Sequence, residues 1–179
     1  YEPFIRRAAG LGALSGLHNS DTYEKAYAFC DLLIIGGGPS GLIAAKIAAE
    51  AGLDVILAEQ DPIFGGRLNS ETEKVDGISG SDWAVKIIEE LKELDNVRLF
   101  LRTTVTGVYD QGTFAAVERV GHHLPDRGSD RPLECFWRIV AKNSILAAGA
   151  IERAIAFPNN DRPGIMAASA VRTYLNRFG

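Results

Sequence analysis

Leu32-Leu33-Ile34-Ile35-Gly36-Gly37-Gly38-Pro39-Ser40-Gly41 joins a strand-like apolar run to a glycine-rich turn. An apolar run enters it, and Leu42-Ile43-Ala44-Ala45-Lys46-Ile47-Ala48-Ala49 leaves it with the composition of a helix. Strand, glycine turn and helix form the context in which G-x-G-x-x-G reads as a phosphate-binding turn. Gly36 permits the sharp exit from the strand. Gly38 lacks the Cβ that would hold a pyrophosphate off the backbone, and Gly41 lets helix and strand pack closely. Pro39 suits a first helical turn, where its missing N–H is not needed. Ser40 shares that turn, whose free N–H groups and positive dipole end favour an anion.

Working outward, a helix over Pro39–Ala51 is stopped by Gly52, and Asp54–Ala58 forms a second strand. A βαβ unit of about 30 residues results. Glu59 ends that strand, 18 residues past Gly41, with Gln60 beside it. An acid there accepts hydrogen bonds from both ribose hydroxyls of an adenosine and repels a 2′-phosphate. Taken alone, it reads as a solvated strand-end carboxylate. Phe64-Gly65-Gly66-Arg67 brings further backbone N–H groups and a guanidinium towards a pyrophosphate, or is a plain surface loop.

Farther out, residues 1–30 read as a lead-in too apolar for a free tail. Asp21–Ala28 suits two helical turns with Tyr23 and Tyr27 on one face. Leu32–Ile35 is the first strand. Ser81 caps a helix to Leu94, with Ala84, Ile87, Ile88 and Leu91 on its apolar face. Val97–Leu101 is the third strand. Residues 103–140 read as an antiparallel meander of three runs, divided at Asp110-Gln111-Gly112 and at 121–132. Gly121–Gly128 is its mobile loop. Ser144–Ala147 is another buried strand, leading to Ala148-Gly149-Ala150, where small residues let a cofactor approach or serve close packing. A last helix spans Ala167–Phe178. The fold class is α/β, a Rossmann-like FAD/NAD-binding domain with a parallel central sheet and an antiparallel β-meander crossover.

The 179 residues are 46% hydrophobic and 23% charged, which argues for a folded domain. A net charge of −4 leaves no basic footprint for nucleic acid. No apolar run is long enough to span a bilayer. Cys30 and Cys135 form no C-x-x-C and read as buried thiols. The adjacent His122 and His123 point apart on a strand and lack a third metal ligand; His18 stands alone. No catalytic residue and no metal ligand is assigned.

Gly36-Gly37-Gly38-Pro39-Ser40-Gly41, Glu59, Gly65-Gly66, the meander and Leu146-Ala147-Ala148-Gly149-Ala150 resemble the glutathione-reductase-type two-dinucleotide-binding flavoproteins. Ala148 stands where that family usually has threonine. A narrower match lies in Tyr1–Gly12, in Ala148-Gly149-Ala150-Ile151-Glu152-Arg153, in Phe157–Met166 and in Tyr174–Gly179. These segments resemble the α subunits of heterotetrameric sarcosine oxidases.

Residues 1–30 are read as an N-terminal extension packing on the domain or on a partner, and 31–179 as a dinucleotide-binding domain with its β-meander over 103–140; the resemblance implies truncation before a second domain. It implies NAD as cofactor, with FAD as the alternative, around Gly36, Gly38, Pro39, Ser40, Gly41, Glu59, Gln60, Gly65, Gly66, Arg67, Ala148 and Gly149. It further implies flavins on or at the interface with a β subunit, β, γ and δ partners, and a cytoplasmic location. The implied reaction is oxidative demethylation of sarcosine with peroxide formation by the whole complex. Three alternatives stay open: an FAD-dependent pyridine-nucleotide oxidoreductase, the α subunit of a related amino-acid or opine dehydrogenase, and a non-catalytic nucleotide-binding assembly module.

Overall fold

The computed structural model describes residues 1–179 except Leu11, 13–15, His18, Arg127 and Ser129. The reading of His18, that of Arg127 within the Gly121–Gly128 loop, and part of the apolar lead-in lie outside the described residues. A short helix, α1 (Glu2–Ala8), opens the chain with no buried residue.

Strand β1 (Tyr23–Ile35) is far longer than its apolar end. Tyr23–Ala28, expected to be helical, is its first half. Tyrosines four apart mimic a helical face, but the pattern that packs has period two. Ala28 and Cys30 turn inward while Tyr27 and Phe29 turn outward. Helix α2 (Pro39–Glu50) follows, then β2 (Val55–Ala58). A 3₁₀ turn over Gly66–Ser70 leads to the small hairpin β3 (Lys74–Val75) and β4 (Ile78–Ser79). Helix α3 (Gly80–Lys92) is capped by Ser79, whose Oγ accepts from the Asp82 N–H at 3.1 Å; Ser81 is not the cap. Next come β5 (Val97–Phe100), β6 (Thr103–Tyr109), β7 (Thr113–Arg119) and β8 (Glu134–Leu146).

The six-stranded sheet runs β5-β2-β1-β8-β7-β6. Its first four strands are parallel, and β8, β7 and β6 are antiparallel neighbours. The third meander run and the strand expected at Ser144–Ala147 are therefore one element, and its end is not buried as expected: Ser144, Ile145 and Leu146 are exposed. The N-terminal half of β8 pairs with β7, while its whole length pairs with β1 from Tyr23↔Glu134 to Ile35↔Leu146. Lys142, Asn143 and Ser144 look like a break in sequence, yet they are exposed positions on a continuous strand.

Both faces of the central strands are covered, which is why Leu32–Ile35 and Val55–Ala58 are apolar without alternation. On one face Leu32, Ile34, Val55 and Leu57 pack against α2 and α3 through Leu42, Ala45, Ala84, Ile87 and Leu91. On the other, Leu33, Ile56 and Ala58 meet Phe114, Ala116 and Ile139, with the Phe100 and Trp137 rings 4.8 Å apart beside them. The chain ends in α4 (Ala168–Thr173) and a π-helical turn, Tyr174–Phe178, in place of one helix to Phe178. Neither piece buries a residue. Among the described residues no helix is long and apolar enough to cross a membrane.

Candidate functional site

The carboxyl ends of β1, β2 and β8 meet the start of β6 around a cavity of about 370 Å³. In an open α/β sheet this end of the strands is where ligands bind. The lining includes Gly36, Gly38, Glu59, Gln60, Gly66, Arg67, Ala148 and Gly149. Pro39, Ser40, Gly41 and Gly65, also expected at the site, are not part of its wall.

The glycines divide by what surrounds them. Gly36 has φ +107°, and a Cβ there would lie 2.5 Å from the Ala147 carbonyl oxygen. Gly41 packs so tightly under the turn that a Cβ would lie 1.9 Å from the Gly36 oxygen. Gly38 differs from both. Its φ of −74° suits any residue, and a Cβ would meet no protein atom within 4 Å. Nothing in the chain requires glycine at Gly38. The space before it is the cavity, and a cradle that a Cβ would fill is what a closely held pyrophosphate needs. Gly38 is also the N-cap of α2, with no side chain bonded to the helix end and no acid in the first turn. The Ser40 and Gly41 N–H groups and the positive helix end are left to an anion.

Glu59 is 8% exposed and holds the site together. Its Oε2 accepts the Gly37 N–H at 2.7 Å and its Oε1 accepts the Asp61 N–H at 2.8 Å. Each oxygen keeps a lone pair for a further donor. The backbone beside it is tied in as well: Thr103 N–H donates to the Glu59 carbonyl at 2.8 Å, and Gly65 N–H donates to the Gly37 carbonyl at 2.8 Å. Gly65, at φ +113°, makes the left-handed entry to the 3₁₀ turn, and Asn69 Nδ2 donates to the Phe64 carbonyl. Arg67 reaches the rim, but its guanidinium is held by Glu71 Oε1, at 2.9 Å from Nε and 2.6 Å from Nη2.

Thr103, Thr104, Val105 and Asp61 also line the cavity and were missed in the sequence. Their local sequence carries no ligand signal; tertiary placement puts β6 beside the end of β2. Asp61 is engaged by Arg177 from the terminal π turn at 2.7 Å, and the pair raises the guanidinium's pKa.

Elsewhere His122 Nε2 lies 3.0 Å from Glu134 Oε1, and no group of metal-ligating side chains forms among the described residues. Cys30 and Cys135 are free and buried. Burial pushes the Cys30 thiol up to about 11, against the opposing charge of Arg98.

The family of NAD(P)-binding Rossmann-like domains matches residues 34–104. The chain is 50% identical to a sarcosine oxidase subunit alpha of Rhizobium meliloti (strain 1021) over all of its length and 18% of the relative's. A subunit of the same name from Corynebacterium sp. (strain U-96) is 41% identical over 96% of the chain and 18% of its own length. The chain thus spans about a fifth of these relatives. Among solved structures, the L-proline dehydrogenase from P. horikoshii is similar with a TM-score of 0.65 and 26% identity, over 92% of this chain and 31% of the other. These likenesses support a dinucleotide or flavin cofactor. The chain thus has a Rossmann-like dinucleotide-binding fold, and along its length it is similar to one segment of these sarcosine oxidase α subunits.

Proposed function

We propose that this chain is the dinucleotide-holding part of the α subunit of a sarcosine oxidase. In this reading it supports oxidative demethylation of sarcosine to glycine, with peroxide formed by the whole complex. One observation carries the reading. The open face of Gly38, the uncapped start of α2 and the Glu59 carboxylate converge on one cavity, as an adenine dinucleotide with a free ribose requires.

Gly36, Gly38, Pro39, Ser40, Gly41, Gly65 and Gly66 would cradle the pyrophosphate. Glu59, with Gln60 beside it, would take the ribose, and Ala148 and Gly149 would let the ligand lie against the end of β8. NAD, when bound, supplies hydride-transfer chemistry. The chain's own part is binding and orientation. Glu59 is already committed to two backbone N–H groups and Asp61 to Arg177, so neither is poised as a general base. We therefore assign no catalytic residue here. Sarcosine oxidation falls to a flavin of the β subunit, and the γ and δ subunits complete a cytoplasmic complex.

The test is sarcosine-dependent peroxide release. The native complex containing this chain is expected to release peroxide, and the chain alone is expected to release none. Release by the chain alone, or none by the complex, overturns the reading.

A further inference from the structure

Beside the glycine-turn cavity lies a larger one of about 740 Å³, between the 61–71 loop and the C-terminal α4 and π turn. The two share Asp61, Gly66, Arg67 and Ala150 in their walls. Arg67 is thus the cationic side chain common to both. It comes from the 3₁₀ turn whose Gly66 sits against Gly38: a Cβ on Gly66 would be 3.0 Å from the Gly38 Cα.

The ion pairs around Arg67 are unequal. Its partner Glu71 is only 17% exposed, whereas Arg67 is 70% exposed. The oxygen that receives Arg67 at 2.6 Å also faces Arg172 of α4 at 3.5 Å. Arg172 lines the larger cavity and is absent from the wall of the smaller. One carboxylate oxygen is therefore shared by two guanidiniums, one near the glycine turn and one on the terminal segment. An exposed ion pair four residues apart is weak. Arg67 can leave without stranding a buried charge, because Arg172 remains beside Glu71. A pyrophosphate in front of Gly38 offers Arg67 a stronger, bidentate partner.

We propose that Arg67, Glu71 and Arg172 form a charge relay that couples occupation of the glycine-turn site by a diphosphate to closure of the C-terminal segment over the neighbouring cavity. This rests on the dinucleotide reading and goes beyond it. With the site empty, Glu71 holds Arg67 back. With the diphosphate bound, Arg67 turns to it, and Glu71 draws Arg172 and α4 inward. The Arg177–Asp61 pair at 2.7 Å and the Asn176 amide on the Ser70 carbonyl at 2.9 Å keep the segment anchored as it moves.

The test measures ADP and adenosine binding to the native full-length protein freed of its nucleotide. ADP carries the diphosphate common to NAD and FAD, and adenosine lacks it. Glu71→Gln releases Arg67 and should tighten ADP about fivefold, the low end of ordinary coupling between sites, with adenosine unchanged. Arg67→Gln should weaken ADP by a similar factor. Arg172→Gln leaves Glu71 to Arg67 alone and should also weaken ADP, though Arg172 does not line that site. In the Glu71→Gln background it should do nothing.

The relay is overturned if Glu71→Gln leaves ADP affinity unchanged or lowers it, or if Arg172→Gln acts equally in both backgrounds. Should Glu71→Gln fail to fold, the single Arg172→Gln variant decides: unchanged ADP affinity overturns the relay, and weakened ADP with unchanged adenosine supports it. Wild-type protein that binds neither probe refutes the dinucleotide reading itself, whereas ADP binding without these differences refutes only the relay.

Discussion

Replacing Gly38 and Gly41, one at a time, by alanine separates a ligand's requirement from the fold's. At Gly41 the new Cβ would lie 1.9 Å from the Gly36 oxygen and 3.1 Å from the Gly36 carbonyl carbon. Those are backbone atoms of the turn, so α2 must move away from β1. An overpacked core costs about 1–3 kcal/mol, roughly a fivefold to hundredfold rise in local opening. At Gly38 the same methyl meets no protein atom within 4 Å, and φ −74° with ψ −176° is open to alanine. The stiffer unfolded chain contributes about 0.4–1 kcal/mol, and alanine's poorer N-capping takes back a comparable amount. Stability should thus change by less than about 1 kcal/mol.

The nucleotide is affected differently. A methyl in front of Gly38 displaces a pyrophosphate from the N–H groups of the turn. Losing one charge-assisted hydrogen bond of about 1.5–3 kcal/mol weakens binding at least about tenfold. Hydrogen exchange of amides in residues 34–58 of the native protein reads the first effect, and ADP titration reads the second. Gly41→Ala should lose protection and binding together, while Gly38→Ala should keep protection and lose binding. Unchanged ADP affinity in Gly38→Ala refutes the reasoning. So does loss of protection matching that of Gly41→Ala.

Glu59→Gln puts an NH₂ group against the N–H of either Gly37 or Asp61, leaving a buried donor unpaired at a cost of about 1–3 kcal/mol. Faster exchange at Gly37 or Asp61, with weaker adenosine binding, is the expected result. Cys30 should resist iodoacetamide at pH 8 in the folded protein and react once unfolded, because burial raises its thiol to about 11. The unfolded thiol ionises first, so this group's contribution to stability is intact below about pH 9. It is lost between there and about pH 11, where urea midpoints should fall. Asn96 donates to the carbonyls of Ala49 at 2.9 Å and Leu53 at 2.8 Å, tying the end of α2 to the turn before β5. Asn96→Ala should cost about 1–2 kcal/mol, read as increased exchange at the α2 C-terminus.

The βαβ unit was legible because all its signals are local: an apolar run, three spaced glycines, a helix stop at Gly52 and an acid at Glu59. The β6–β7 turn was legible for the same reason, since Gln111 and Gly112 adopt the positive φ values of 58° and 68° that such a turn needs. The first half of β1 was not. What makes Tyr23–Cys30 a strand is pairing with Glu134–Ala141, more than a hundred residues away. Local spacing of Tyr23 and Tyr27 argued for helix, and distant pairing overrode it. Continuity of β8 was hidden similarly, because Lys142–Ser144 is polar where the strand is exposed.

In the candidate site, the glycines and Glu59 announced themselves by type and spacing. Thr103–Val105 did not, because tertiary placement of β6 beside the end of β2, and no motif, brings them to the cavity; Asp61, two residues past Glu59, carries no signal of its own. The pairing of Arg67 with Glu71 also overlays the simpler expectation that Arg67 faces the anion.

We propose that these glycines and Glu59 hold an adenine dinucleotide with an unphosphorylated ribose. The most direct measurement is mass spectrometry of the small molecules released on denaturing the native full-length protein in its complex. NAD is expected in near-stoichiometric amount, and its retention depends on Gly38. FAD bound there instead would keep the adenine-dinucleotide site and overturn the NAD assignment. NADP in the site, or no nucleotide lost on Gly38→Ala, overturns the unphosphorylated-ribose site.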